Sequence, residues 1–328
     1  MRTLRLLLLV LACLPVACGG NFSNGDLEFL NALPAREDLA SKLPADEARH
    51  ADSLHQRTDR LRMQQLGEQS QLYADTHGAS ESFNKRLDGL LTLLEGIRDR
   101  RPTAREPDRR LWGPYPYREH PGHELRFVMV RDAENFSYAL QVRKTADGEE
   151  GWWSFVEGTF LAEGGLRKGQ GFVSLKIAEA RARGFDTRGF SALDRLDIAY
   201  QTRALPLWVQ MNLVPRPDQS ATDARYAYRE LPEGLGEMGF VLQDSDLVPG
   251  GRAEKLTVLS RWTQDRGGVG LIQVTGGDVP SGLTHTHVEC WDAAFRVTYV
   301  ARSWESRPVG DAASCPDVSA LDASVLPR

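Results

Sequence analysis

Two histidines, His285 and His287, have the spacing of a metal-binding pair. On a β-strand, side chains at positions i and i+2 point to the same face, so both imidazoles could reach one Zn²⁺. A zinc site needs further ligands, and His120, His123 and Glu289 are the candidates for a third. A secreted hydrolase or metal-binding enzyme that uses this region is therefore the alternative to a function without catalysis.

Motifs for nucleophilic or nucleotide chemistry are missing from the sequence. The chain has no Gly-x-Ser-x-Gly turn, no phosphate-binding loop and no dinucleotide fingerprint. Carboxylates that alternate with apolar residues, such as Glu157 and Asp197, are explained by the solvated face of a sheet. We therefore predict no catalytic residue and no cofactor, and we favour a binding or interaction protein over an enzyme.

Residues 1–17 have the three parts of a secretory signal peptide. Arg2 and Arg5 precede an apolar run from Leu6 to Pro15, and small residues follow it. The run spans about ten residues, whereas a helix that crosses a bilayer needs roughly 20. The segment therefore predicts export and cleavage and not a membrane span.

The end of this segment resembles the lipobox of bacterial lipoproteins. Cys18 follows Pro15-Val16-Ala17, and Cys13 follows Val10-Leu11-Ala12. In that family the cysteine after the cleavage site is acylated, which implies a lipid-anchored protein of the cell envelope. We assign lipidation to Cys18, since cleavage at Cys13 would leave an apolar core of only about seven residues.

The same resemblance predicts how the protein meets its membrane. Each buried CH₂ contributes about 0.8 kcal/mol, and two or more acyl chains hold a protein firmly. In the family, an Asp after the cysteine retains the protein at the inner membrane, and Gly19 here favours the outer membrane. Residues 18–34 are accordingly predicted to be the lipid anchor and a flexible tether, with the body facing the periplasm or the cell surface.

The body is similar to uncharacterised lipoproteins of myxobacteria. The similarity is carried by four stretches: Cys18-Gly19-Gly20, Asn31-Ala32-Leu33-Pro34, Leu196 to Thr202, and Glu289-Cys290-Trp291-Asp292 with the later Cys315. It implies no activity. In architecture the predicted body is also similar to the outer-membrane lipoprotein receptor family, whose concave apolar face holds acyl chains, but no motif of that family matches and no residue role carries over.

The composition limits the classes of partner that the protein is expected to bind. The 328 residues are 41% hydrophobic and 26% charged, which is typical of a folded globular protein. The net charge of −5 argues against a nucleic-acid partner. The partners that remain are the membrane, through the lipid anchor, and either an apolar ligand or another envelope protein. The tryptophans of the predicted sheet fill its core or line an apolar groove on its concave face; they are Trp152, Trp153, Trp208, Trp262, Trp291 and Trp304.

Two cysteines, Cys290 and Cys315, remain after processing. An even pair in an exported protein predicts a disulfide. It would close a loop of about 25 residues and stabilise the fold by roughly 3 kcal/mol. The predicted result is a polar C-terminal tail, residues 305–328, tied to the last strands.

The predicted fold is α+β, with an N-terminal helical segment followed by a large antiparallel sheet. Residues 35–101 form the helical region. Its clearest helix follows a break at His77-Gly78, is capped by Ser80 or Ser82, and buries apolar residues with helical spacing: Phe83, Leu87, Leu90, Leu94 and Ile97.

The five prolines of residues 102–124 indicate an extended linker with aromatic anchors. In residues 125–304, short bursts of alternating apolar and polar residues are separated by Gly, Pro, Asp and Asn, which predicts ten or more strands. A barrel, a half-barrel and a sandwich are all compatible with this pattern.

Overall fold

The computed structural model describes residues 22–42, 65–165, 167–187, 190–217, 224–245, 250–263, 267–315 and 321. The predicted signal peptide and both candidate lipidation residues, Cys13 and Cys18, lie outside these ranges. So do residues 43–64 of the predicted helical region and half of the predicted tail.

Fifteen antiparallel strands form one open sheet, and each strand pairs with its neighbours in sequence. The prediction of a large antiparallel sheet is confirmed, and the described strands form a single open sheet with β1 and β15 at its edges. The strands are β1 Ala104–Glu106, β2 Arg109–Pro116, β3 His123–Asp132, β4 Asn135–Lys144, β5 Trp153–Ala162, β6 Gly169–Leu175, β7 Leu193–Gln201, β8 Leu207–Pro215, β9 Ala224–Glu230, β10 Gly236–Ser245, β11 Glu254–Thr263, β12 Gly267–Gly276, β13 His285–Trp291, β14 Val297–Arg302 and β15 Val309–Gly310.

Four α-helices accompany the sheet among the described residues. They are α1 Asn24–Asn31, α2 Arg36–Leu39, α3 Gln71–Arg98 and α4 Ile177–Ala182. Of these helices, none combines the length and the apolar composition that a membrane span requires.

Helix α3 crosses one face of the sheet. Its contacts run from one side of the sheet to the other: Ser70 Oγ with Glu289 of β13, Thr76 Oγ1 with Ser260 of β11, Phe83 with Tyr226 of β9, and the carbonyl of Arg100, just beyond the helix, with Trp112 Nε1 of β2. The predicted apolar face of this helix is buried from Phe83 to Ile97. The same face of most strands joins α3 in one hydrophobic core.

Aromatic side chains of this inner face lie over glycines of the neighbouring strand. Tyr138 covers Gly158, its partner in register, and a Cβ at that glycine would lie 2.2 Å from the Tyr138 ring. Tyr200 covers Gly171 in the same way. Such pairs let a large ring lie flat where a Cβ would push it away, and they are a recognised device for curving a sheet.

Residues 102–124 are not a linker; they hold β1, β2 and the first residues of β3. The prolines are accommodated because β1 pairs only with Arg109–Leu111, so β2 has β3 as its one neighbour where Pro114 and Pro116 lie. A strand with one free side tolerates the missing N–H groups. Gly113, with φ of +101°, forms the bulge that precedes Pro114.

The predicted tether of residues 18–34 is folded in its described part. Ser23 caps α1, and Phe29, Leu30 and Leu33 of this segment are buried in the core. Asp26 of α1 pairs with Arg105 and Arg110, which fastens the helix to β1 and β2. Apolar residues at helical spacing in this segment favour burial, whereas the glycines before residue 22 indicated a tether.

Helix α3 begins earlier than predicted. Its N-cap is Ser70, whose side chain accepts a hydrogen bond from Tyr73 N, and the predicted break at His77-Gly78 lies inside the helix. Ser80 does not cap the helix but contacts Ser41 at 2.5 Å. A glycine inside a helix costs about 1 kcal/mol, which core contacts on both sides of Gly78 outweigh.

The predicted disulfide between Cys290 and Cys315 is present in the structure. Cys290 is fully buried, so the bond ties the chain after β15 to β13. Further along, Leu321 packs on an apolar strip of the outer face formed by Ala227, Val241 and Leu259. The segment predicted as a tail therefore contributes a strand and covers part of the sheet in its described residues.

Candidate functional site

A cavity of about 860 Å³ lies between the C-terminal half of α3, strands β2–β5 and helix α4. Its size falls within the range of about 300–1,000 Å³ that is usual for small-molecule sites. Apolar side chains form most of its lining.

One stripe of α3 forms the helical wall. Gly89, Leu93, Gly96 and Ile97 line the cavity, followed by Arg100 beyond the helix end. Gly89, Leu93, Gly96 and Arg100 follow one another at three or four residues and so share one face. Both glycines are exposed, and a Cβ at Gly89 or Gly96 would meet no atom within 4 Å. The helical wall therefore carries no side chain at these two positions.

Aromatic side chains form most of the facing wall. Each comes from a strand residue that points to the inner side of the sheet or from the chain after α4. They are Trp112, Tyr115, Phe127, Trp153, Phe155, Phe185 and Phe190. Such rings supply a large apolar surface at little entropic cost, which suits the recognition of an apolar molecule.

Polar residues also line the cavity, and Tyr117 is one of them. Tyr117 lies beside Phe185, and burial, together with the charge of Glu119, raises its pKa above the usual value, so its hydroxyl stays neutral. The side chain of Arg126 alternates with those of Leu125 and Phe127 and so lies on the outer face, where Glu149 and Gln141 each hold it at 2.8 Å.

The predicted histidine pair lies elsewhere, on β13. His285 Nδ1 lies 3.4 Å from Ser303 Oγ, and His287 Nε2 lies 3.4 Å from Glu289 Oε2. The described residues hold no group of three or more His, Cys, Asp or Glu side chains that could bind a metal ion. His120 and His123 contact Phe185 and so lie at the cavity, away from His285.

Glu289, the candidate third ligand, has a structural contact instead. It is fully buried and accepts hydrogen bonds from Ser70 Oγ and from Leu72 N at the beginning of α3. A carboxylate at this end of a helix satisfies free N–H groups and complements the helix dipole. The placement explains why His287 and Glu289 share a face without forming a metal site.

The tryptophans of the sequence lie in the core, at the cavity and at the surface. Trp262 and Trp291 are buried in the core over Gly236 and Gly268, and Trp304 is 44% exposed. Trp153 lines the cavity together with Trp112, which lies in the segment predicted to be a linker. No local pattern in the sequence pointed to this cavity.

Comparison with family models, with curated proteins and with solved structures found no significant match to this chain. The case for the site therefore rests on its geometry.

Proposed function

We propose that this protein is a lipid-anchored, non-enzymatic protein of the cell envelope that binds the apolar part of a ligand in the cavity between α3 and β2–β5. The observation that carries the proposal is a cavity of about 860 Å³ whose lining combines aromatic rings of the sheet with two glycines of α3. We also propose that the open sheet curves into a half-barrel around α3.

The energetics favour a ligand with a hydrocarbon chain. Each CH₂ moved from water into such a cavity contributes about 0.8 kcal/mol, so a chain of several carbons reaches micromolar affinity after the cost of immobilisation. Along α3, Gly89 and Arg100 are eleven residues apart, which corresponds to roughly 16 Å at 1.5 Å per residue. A single extended chain fits this length better than a compact ring system.

Filling the cavity is expected to abolish binding without unfolding the protein. In the mature chain, Gly96→Leu places a side chain in the space that a ligand would occupy, and we expect the affinity for a fluorescent apolar probe, N-phenyl-1-naphthylamine, to fall at least about tenfold. Leucine is a better helix former than glycine, so the free energy of unfolding should rise by about 0.5–1 kcal/mol. Probe titration and thermal unfolding measure the two effects.

Gly78→Leu is the matched control. Gly78 lies in the same helix, a Cβ there also meets no atom within 4 Å, and the residue does not line the cavity. The control should gain similar stability and bind the probe as the unchanged protein does. Equal binding by Gly96→Leu and by the unchanged protein would exclude this cavity as the site.

The anchor is tested in the cell. Cys18→Ala is expected to move the protein from the membrane fraction to the soluble periplasmic fraction, because no acyl chain can then be attached. Mass spectrometry of the mature N-terminus measures the acylation directly. An unacylated Cys18 in the native host would contradict the proposed lipid anchor. It would not affect the proposal that the cavity binds a ligand.

A further inference from the structure

We infer that the ligand is a single-chain amphiphile with an anionic head, a carboxylate or a phosphate, and that Arg100 binds this head at the mouth of the cavity. The inference rests on the proposed function, because it names the class of ligand that the apolar cavity takes.

Arg100 stands where the apolar stripe of α3 ends. Its carbonyl accepts a hydrogen bond from Trp112 Nε1 at 2.8 Å, which fixes the backbone of this residue against β2. Its guanidinium lies 5.4 Å from the centre of the Tyr115 ring, which is itself part of the cavity wall. The side chain is exposed, so it can reach a ligand without first losing a buried contact.

The charge of Arg100 is not used within the described part of the chain. No carboxylate among the described residues forms an ion pair with it. Arg126 differs in this respect, because Glu149 and Gln141 hold its guanidinium on the outer face of the sheet. Of the residues of α3 and its end that line the cavity, Arg100 is the one with a charged side chain among those described.

Two carboxylates, Glu119 and Asp186, also lie at the mouth. They belong to the turn before β3 and to the chain after α4, which the contact between Tyr117 and Phe185 brings together. Arg118 stands next to Glu119 in that turn. Arg100 is the cation that the end of α3 contributes to the lining, so a chain that lies along Gly89 and Gly96 meets Arg100 at the end of this stripe.

Competition against N-phenyl-1-naphthylamine tests the head group with the mature chain. The competitors have one chain length and differ only in the head: tetradecanoate, tetradecyl phosphate, tetradecanol and tetradecyltrimethylammonium, each below its micelle concentration. We expect one or both anions to bind about tenfold more tightly than the alcohol, since a charge-assisted hydrogen bond is stronger than a neutral one. The two anionic arms show which head the site prefers.

Arg100→Ala should remove the preference for the anion and leave the affinity for tetradecanol unchanged, which also shows that the variant is folded. Arg100→Lys should retain part of the preference. Arg101→Ala is the matched control, since it removes the same charge from the next residue, which does not line the cavity.

The outcomes separate this inference from the proposed function. If the probe itself does not bind, the proposed function is wrong. If the alcohol binds as tightly as the anions, or if Arg100→Ala keeps the preference for the anion, the cavity is still the binding site but Arg100 does not recognise the head. If the trimethylammonium compound binds most tightly, the head is recognised by Glu119 and Asp186 and not by Arg100, and the inference is wrong.

Discussion

Replacing Asp26 by alanine is expected to lower the free energy of unfolding by about 3–5 kcal/mol. The carboxylate is fully buried and accepts hydrogen bonds from Ser23 N at 3.0 Å, Arg105 Nε at 3.1 Å and Arg110 Nε at 2.9 Å. The side chain of Arg110 is only 9% exposed, so the substitution leaves a buried guanidinium without its counter-charge. Denaturant unfolding measures the loss.

Glu28→Ala is the matched control on the same helix. Glu28 forms an ion pair with Arg131, but its side chain is 58% exposed, and pairs of this kind contribute little. We expect its substitution to change the free energy of unfolding by less than about 0.5 kcal/mol. Similar losses in Asp26→Ala and Glu28→Ala would show that helix α1 is not fastened through the buried pair.

The same carboxylate makes stability depend on pH. Burial alone would raise the pKa of Asp26, but hydrogen bonds from Ser23 N and from Arg110 and Arg105 outweigh burial and hold this pKa below its usual value. A carboxyl group whose pKa is lower in the folded chain stabilises the fold above the unfolded pKa, about 4, and loses this effect as the pH falls through the folded pKa. Asp26→Asn should therefore show a shallower loss of stability below about pH 4 than the unchanged protein.

Replacing Glu237 by alanine is expected to cost about 2–3 kcal/mol. Glu237 is fully buried on the outer face of β10, directly opposite Arg229 of β9 and Arg261 of β11. Its carboxylate accepts hydrogen bonds from Arg229 Nε at 2.9 Å and from an Arg261 terminal nitrogen at 3.4 Å. The two arginine side chains are 26% and 15% exposed, so water can recover part of the loss, and the expected cost lies below that of a fully buried pair.

Two further variants test this interpretation of Glu237 by thermal unfolding. Glu230→Ala removes a half-buried carboxylate that pairs with the exposed Lys42 and should change the stability by less than about 1 kcal/mol. Replacing Glu237, Arg229 and Arg261 together by methionine should recover most of the stability lost in Glu237→Ala, because no charge is then left unpaired. A triple variant less stable than Glu237→Ala would show that the three charges contribute a net attraction.

The strand pattern of residues 125–304 and the apolar face of α3 were predictable because each depends on local periodicity. Phe83 to Ile97 repeat at three and four residues, and all five apolar positions are buried. The start of α3 was not predictable in this way. Ser70 and Ser80 are both suitable caps, and the choice between them is made by Glu289, more than 200 residues away, which accepts hydrogen bonds from Ser70 Oγ and Leu72 N.

The linker prediction was misleading for a related reason. Prolines in residues 102–124 indicate an extended chain, and an extended chain is also what a strand near a sheet edge provides. Whether the segment becomes a linker or a strand depends on whether β3 is available as a partner. The same pairing places Trp112 and Tyr115 on the cavity wall, where no local pattern pointed to them.

By itself, the sequence determined the large antiparallel sheet, the core face of its long helix and the pair Cys290 and Cys315. Side-chain periods of two and 3.6 residues follow from backbone geometry, and the pairing of Cys290 with Cys315 was predictable because they are the two cysteines outside the predicted signal peptide and anchor. The tertiary structure alone decided the cavity, the burial of Asp26 and the capping by Glu289. Each of these joins residues far apart in the chain, and only the way in which the helix crosses the sheet brings them together.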